Sequence, residues 1–286
     1  MYPAQFEYHK AGSVKEALDL LAKHKDDAKV LAGGHSLLPA MKLRLAQPKH
    51  VIDIGKISSL SGVKEEGGTL VIGALTTHYA IESSAVLKSK CPLMPEVAGH
   101  IGDPMVRNMG TLGGSLAHAD PAADWPAAFI ALGAEMVAEG PKGKRTIKID
   151  DFFKGLLTTA LADDEILMEI RVPAAAANIK SAYAKFPHPA SRFAVVGVAA
   201  VLTMDGGKIG KASIGLTGAG TKAIRAKGVE AAIAGKSADA ASIQSAAEKA
   251  AEGVDVQADL QGSVEYKQHL LRVFAKRAME AAAAKK

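Results

Sequence analysis

Cysteine is almost missing from this 286-residue chain, where Cys91 stands alone. One thiol cannot close an internal disulfide, complete a Cys-ligated zinc site or hold an iron–sulfur cluster. If the protein serves a redox system that uses such clusters, another polypeptide carries them. An excess of one charge is missing too. Thirty-five Lys and Arg against thirty Asp and Glu leave +5, too small and too dispersed to mark a nucleic-acid surface. The densest basic stretch, Lys142 to Lys148, contains no aromatic residue and reads as a solvated hairpin. No apolar run approaches the roughly 20 residues that span a bilayer. Met1 to Lys10 lacks the apolar core of a signal peptide, so the chain reads as cytoplasmic.

What is present is ordinary globular material: 48% hydrophobic and 23% charged residues exclude a disordered or fibrous chain. The length suggests two domains. Phe6 to His9, Ala28 to Ala32 and Val51 to Ile54 read as strands. Between them lie a helix opened by Ser13 with Glu16 as a capping box, and a shorter amphipathic segment, Leu37 to Leu45. Strands alternating with helices predict a small parallel sheet. A strand at Thr69 to Gly73, helices at Thr76 to Ser83 and Pro92 to His100, and a helix running from Asp120-Pro121 through Leu132 come next. Ala134 to Glu139, Arg145 to Ile149 and Glu165 to Val172 read as strands, the first two joined by the turn residues Gly140-Pro141-Lys142-Gly143. Pro173 and the alanines that follow suggest a boundary, giving domains of 1–176 (units of about 1–57 and 58–176) and 177–286. Strands at Ser181 to Phe186, Ala194 to Met204 and Lys208 to Leu216 precede helices at about 221–234, 238–252 and 263–284, an α+β arrangement.

Two glycine-bearing segments carry the chemistry. Ala32-Gly33-Gly34-His35-Ser36 ends a strand and leads into a helix. Paired glycines allow close approach to the main chain, and successive N–H groups beside a helix N-terminus suit a pyrophosphate. Taken alone, the same residues serve equally as a strand-to-helix turn. Gly110-Thr111-Leu112-Gly113-Gly114-Ser115 repeats the composition about 75 residues on, and the pair suggests a clamp around an extended anion. Gly218-Ala219-Gly220-Thr221-Lys222-Ala223 imitates a dinucleotide fingerprint, but no second parallel strand follows to complete the crossover. Gly235-Lys236-Ser237 has Glu230 where a phosphate loop needs glycine. His35, His78, His100 and His118 share no helical spacing that suggests a metal site, and no catalytic triad is visible. Asp103 and Arg107, four residues apart, are expected to pair on one helical face. Trp125 and Phe129 read as core, and Cys91 as a small buried residue.

Ala32 to Ser36 together with Ile101-Gly102-Asp103-Pro104-Met105-Val106-Arg107-Asn108-Met109-Gly110-Thr111-Leu112-Gly113-Gly114 resembles the FAD-binding medium subunit of molybdenum hydroxylases, above all its aerobic carbon monoxide dehydrogenase branch. Asp120 to Asp124, Asp164 to Leu167, Tyr183-Ala184-Lys185 and Ser191-Arg192-Phe193 extend the likeness over essentially the whole chain. The resemblance implies an α+β fold: a two-part FAD-binding domain of the vanillyl-alcohol-oxidase type, with a small parallel α/β unit and a larger antiparallel unit. A C-terminal domain with a three-stranded antiparallel sheet and a helix bundle then follows. It implies non-covalent FAD held by Ala32, Gly33, Gly34, His35, Ser36 and Leu37 at the pyrophosphate, and by Thr111, Gly113, Gly114 and Ser115 at the phosphates and flavin side. Thr76 matches a further contact, Asp124 a carboxylate near the ribose and adenosine, Ile101, Leu167 and Lys185 the flavin pocket, and Phe193 an aromatic position at the isoalloxazine. Ser115 stands where the family has Asn, and Phe193 where some related chains have Tyr.

The implied role is a flavoprotein subunit of a multi-subunit oxidoreductase. A large subunit with the molybdenum cofactor and a small one with two [2Fe–2S] clusters would complete a dimer of heterotrimers. Electrons would leave through FAD to an external acceptor such as a quinone, with docking at the inner membrane face open. The alternative is a self-contained, covalent FAD oxidase of the vanillyl-alcohol-oxidase type, in which His35 would carry the flavin. A third is a nucleotide-binding scaffold that has lost FAD.

Overall fold

The computed structural model describes residues 1–285. The first unit is built as the alternating pattern predicts. Strands β1 (Glu7–Lys10), β2 (Ala28–Leu31) and β3 (His50–Asp53) form a parallel sheet in the order β1-β3-β2. Helix α1 (Val14–His24) packs Ala17 and Leu21 against Ala28, Ile52 and Ile54 on one face. Ser13 caps α1 by accepting from the Glu16 N–H at 3.1 Å, while the Glu16 carboxylate accepts from Gly12 N at 2.7 Å, one residue before the usual box position. A short helix α2 (Leu37–Lys42) follows β2.

The second unit centres on an antiparallel sheet ordered β4-β5-β10-β6-β7. Its strands are β4 (Val63–Glu66), β5 (Thr69–Gly73), β6 (Glu135–Gly140), β7 (Gly143–Lys148) and β10 (Ile166–Pro173). Helices α3 (His78–Ser83), α4 (Ala85–Lys90), α5 (Leu93–His100), α6 (Pro104–Met109), α7 (Leu112–His118) and α8 (Trp125–Leu132) lie between β5 and β6, and a short α9 (Ile149–Phe152) and the ribbon β8 (Phe153–Gly155) and β9 (Thr158–Thr159) precede β10. Trp125 and Phe129, their rings 5.5 Å apart, sit in the core with Leu93, Met94 and Val97 as expected. Cys91 is buried there, and burial pushes its thiol up to about 12, so it stays protonated and inert.

Extended residues then lead to β11 (Ile179–Pro187), β12 (Ala194–Asp205) and β13 (Lys208–Thr217), an antiparallel meander. Two two-residue strands, β14 (Ile224–Arg225) and β15 (Lys236–Ser237), widen the expected three-stranded sheet to five. Val196, Val198, Ala200 and Leu202 share a core with Leu271, Phe274 and Ala275 of α12 (Val264–Ala284), while α10 (Lys227–Ile233) and α11 (Ala240–Ala247) pack with α12 as the expected helix bundle. The opposite face belongs to the second unit's core through Tyr183 and Ala199, so α8 is shared by both domains.

Several local expectations give way. Residues 221–226 are not helical: Ile224 and Arg225 form a strand, Ile224 pairing with Leu216 and Arg225 donating to the Ile130 carbonyl at 2.7 Å. The helix expected from Asp120 begins only at Trp125; Asp120 instead closes a turn by accepting from Ala122 N at 2.8 Å. Asp103 does not pair with Arg107. It caps α6 by accepting from Val106 N, and Arg107 donates to Glu82 at 2.8 Å and to the Ile101 carbonyl at 3.1 Å. The second glycine segment is also not a loop: Leu112 to His118 is helical, capped by Thr111.

Candidate functional site

The glycine loop between β2 and α2 and the α6–α7 junction lie against each other. A Cβ on Gly33 would fall inside the van der Waals envelope of the Met109 carbonyl, so only glycine lets these two main chains touch. Gly34 has φ of +77°, in the left-handed region. That turn carries the backbone into α2, with Leu38 N donating to the Gly34 carbonyl at 3.0 Å. Among the described residues, the N–H groups of residues 33 to 37 donate to no other group of the chain. Five consecutive unpaired donors on a partly buried turn are a cradle for anionic oxygens.

The second segment contributes differently. Leu112 N donates to the Thr76 carbonyl at 2.9 Å, Gly113 N to the Ala74 carbonyl at 2.8 Å and Gly114 N to Thr111 Oγ1 at 3.2 Å. Its first-turn amides are therefore spent within the protein. What it offers is shape: Gly113 is pressed onto Ala74, and exposed Gly114 faces Ala32, where a Cβ would lie 3.9 Å from that methyl but only 2.7 Å from Thr111 Oγ1. The half-buried Ser115 follows on α7. Seven residues of α7, about 10 Å of helix, connect this point to the Asp120–Asp124 turn. There Ala194 N donates to the Ala122 carbonyl at 3.0 Å, placing neighbouring Phe193, 44% exposed, beside a hollow also lined by Ala122, His188 and Gly218.

The other expected positions fall in two groups. Asp124 and Lys185 meet in a buried ion pair, with Lys185 Nζ 2.8 Å from Asp124 Oδ1. Tyr183 Oη donates to Asp124 at 2.6 Å, and Lys185 also donates to the His100 carbonyl at 3.1 Å, next to Ile101. Burial drives the Asp124 carboxyl up and the Lys185 ammonium down, and each partner's charge opposes the shift in the other. The Thr76 hydroxyl is engaged with Gly62, accepting from its N–H and donating to its carbonyl, while Leu167 is buried within β10. Neither presents a free polar atom.

Sequence reasoning missed His78. Its Nδ1 accepts from Trp125 Nε1 at 3.1 Å, behind Gly110. Burial, with His35 and Arg107 adding to it, lowers its pKa to about 4. An unfolded His78 takes up a proton below about 6.5 while the folded one does not, so acid favours unfolding. Stability is expected to fall by about 3 kcal/mol between pH 7 and pH 4 from this group. Urea unfolding should show that His78→Gln loses this part of the pH slope.

Comparison with known proteins gives the site its family. The FAD binding domain in molybdopterin dehydrogenase matches residues 4–175, and the CO dehydrogenase flavoprotein C-terminal domain matches residues 181–282. The carbon monoxide dehydrogenase medium chain of Hydrogenophaga pseudoflava is 44% identical over 282 residues, 99% of this chain and 98% of that one. The solved carbon monoxide dehydrogenase from the same organism, which lacks the Mo-pyranopterin moiety of its cofactor, superposes with a TM-score of 0.97 at 46% identity over 99% of both chains. Quinoline 2-oxidoreductase from Pseudomonas putida 86 gives 0.94 at 33% identity, covering 99% of this chain and 98% of that one. On these matches, spanning both domains, the chain belongs to the FAD-binding medium-chain family of the molybdopterin dehydrogenases.

Proposed function

We propose that this chain is the FAD-bearing electron-transfer subunit of a carbon monoxide dehydrogenase. The carrying observation is the run of five unpaired N–H groups at 33–37, walled by Met109 and opening onto Gly114. That donor set fits a pyrophosphate, whose charge the amides meet without a cation from this chain. Bound there, FAD would supply a centre that accepts electrons and passes them on. The chain's residues bind and orient it. Residues 33 to 37 would fix the pyrophosphate, and Phe193 would offer an apolar ring to the flavin. Phe193 can cover an aromatic face but donates no hydrogen bond.

The protein has one cysteine, so clusters feeding this site belong to a partner. Leu38, Met105 and Met109 are exposed around the glycine loop, an apolar rim suited to cover by another subunit. The reading therefore includes a large molybdenum-cofactor subunit, a small [2Fe–2S] subunit, a dimer of heterotrimers in the cytoplasm and a quinone-type acceptor. No helix among the described residues is long and apolar enough to cross a membrane. The domain division at about residue 176 and the FAD contacts assigned to Ala32 through Leu37, Thr76, Ile101, Thr111, Gly113, Gly114, Ser115, Asp124, Leu167, Lys185 and Phe193 are part of this proposal.

A self-contained oxidase is the second reading, favoured by one observation: His35 is exposed on the glycine loop. Acid precipitation separates the two. Yellow colour is expected entirely in the supernatant, with one FAD per chain by chromatography. Flavin held in the pellet, and lost from it in His35→Ala, would establish the covalent oxidase instead.

A further inference from the structure

His9, His24 and His50 lie apart in the sequence and come together at one edge of the parallel sheet. His9 is on β1, His50 opens β3, and His24 ends α1. A ring nitrogen from each lies within 4.8 Å of the other two. His9 Nε2 is 3.1 Å from His50 Nδ1, and Glu7 Oε2 lies 3.4 Å from the same His50 nitrogen and 3.9 Å from His9 Nε2. Tetrahedral coordination at zinc–nitrogen lengths of about 2.05 Å places ligand atoms about 3.3 Å apart. Glu7, His9 and His50 therefore already outline one face of such a tetrahedron. The His24 ring lies against His50, centres 3.7 Å apart and planes tilted by 31°. Its Nε2 is buried and has no hydrogen-bond partner among the described residues, which is costly unless something fills the role.

From this geometry we propose a second site, unrelated to the flavin: a closed N₃O site for a divalent transition metal of the zinc class, with ligands His9, His24, His50 and Glu7. Imidazole and carboxylate donors suit that class of ion, and four protein ligands make the site structural. Closing the His24 corner from within 4.8 Å to tetrahedral spacing takes a shift of at most about 1.5 Å, a side-chain adjustment at the helix end. The C-terminal end of α1 also turns its carbonyls toward this edge, which favours a cation.

Location assigns the site its role. Glu7 and His50 are the first residues of parallel strands, whereas the glycine loop leaves the last residue of β2. Four residues of strand, about 13 Å, separate the two edges. The metal would tie α1 to β1 and β3 and stiffen the small unit that carries the amide cradle, without touching the cofactor.

The test uses the untagged, flavin-loaded full chain, titrated with zinc alone against a chelating indicator and with cobalt(II) for its visible ligand-field bands. One zinc per chain, tetrahedral-type cobalt bands and a melting temperature raised by zinc are expected. His24→Ala and His50→Ala should weaken binding by at least about tenfold and abolish the melting shift, with His269→Ala, on the exposed face of α12, unchanged. Glu7→Gln, at an exposed side chain that folding does not need, provides a second variant and should also weaken binding. Absence of saturable binding overturns the site, as does equal binding by wild type, His24→Ala and Glu7→Gln. Loss of zinc in His269→Ala alone would assign the metal to surface histidines and overturn it equally.

Discussion

Gly33→Val is expected to give a folded protein that purifies nearly colourless. The valine Cβ would overlap the Met109 carbonyl, so the loop must move away from the α6–α7 junction. Such a shift disperses the five amides at 33–37, none of which has an internal partner to hold it in place. Charge-assisted hydrogen bonds are worth about 1.5–3 kcal/mol each, so losing two lowers FAD affinity by a factor on the order of 100 or more. Tryptophan or flavin fluorescence during FAD titration reads the affinity, and far-ultraviolet circular dichroism reads the fold. Gly114→Val is the companion. It leaves the cradle intact but disturbs the Thr111 cap and sets a branched side chain against Ala32, so a smaller loss is expected. Wild-type flavin content in Gly33→Val would remove the cradle from the argument, whatever Gly114→Val does.

The ordering of those two effects could not be read from the sequence, where both glycine pairs look alike. Gly113 and Gly114 have poor helix propensity, which is why the segment reads as a loop. It becomes a helix because Thr111 caps it and Gly113 fits against Ala74, just past the end of β5, a contact across nearly forty positions. By contrast the parallel unit was legible, since α1 shows a clean apolar stripe and each strand is bounded by polar or glycine residues. Strand β4 was not, because Lys64, Glu65 and Glu66 are all exposed and show no alternation. Helix α6 was hidden for a related reason: with six residues it has less than two turns to display a period, and Met105 and Met109 face outward. Local chemistry also misled at Arg107, whose partner Glu82 is 25 residues away rather than four. The site followed the same rule. A turn that cradles an anion is written in consecutive residues, but Asp124 with Lys185, and His9 with His24 and His50, meet only through tertiary packing.

Lys185→Met should destabilise the protein by about 3–5 kcal/mol, the range for breaking a buried ion pair from one side. The reason lies in what remains. Asp124 stays 5% exposed, its carboxylate keeping only the Tyr183 hydroxyl, and burial already drives its pKa up. Without the ammonium the folded state binds a proton that the unfolded state does not hold until about pH 3.8. Stability of the variant is therefore expected to rise as the pH falls from neutrality toward that range, opposite in sign to the His78 effect. Adding Asp124→Asn removes the stranded charge, so the double variant should be more stable than Lys185→Met alone, a coupling that a double-mutant cycle in urea measures directly. Asp124 stands at the start of α8, and Tyr183 and Lys185 lie on β11, so the same loss loosens the contact between the two domains. A flavin-pocket role for Lys185 without this structural one predicts the reverse pattern: unchanged urea midpoints with weakened FAD binding. Measured together, the unfolding midpoint and the FAD dissociation constant decide whether Lys185 chiefly clamps the domains or chiefly meets the cofactor.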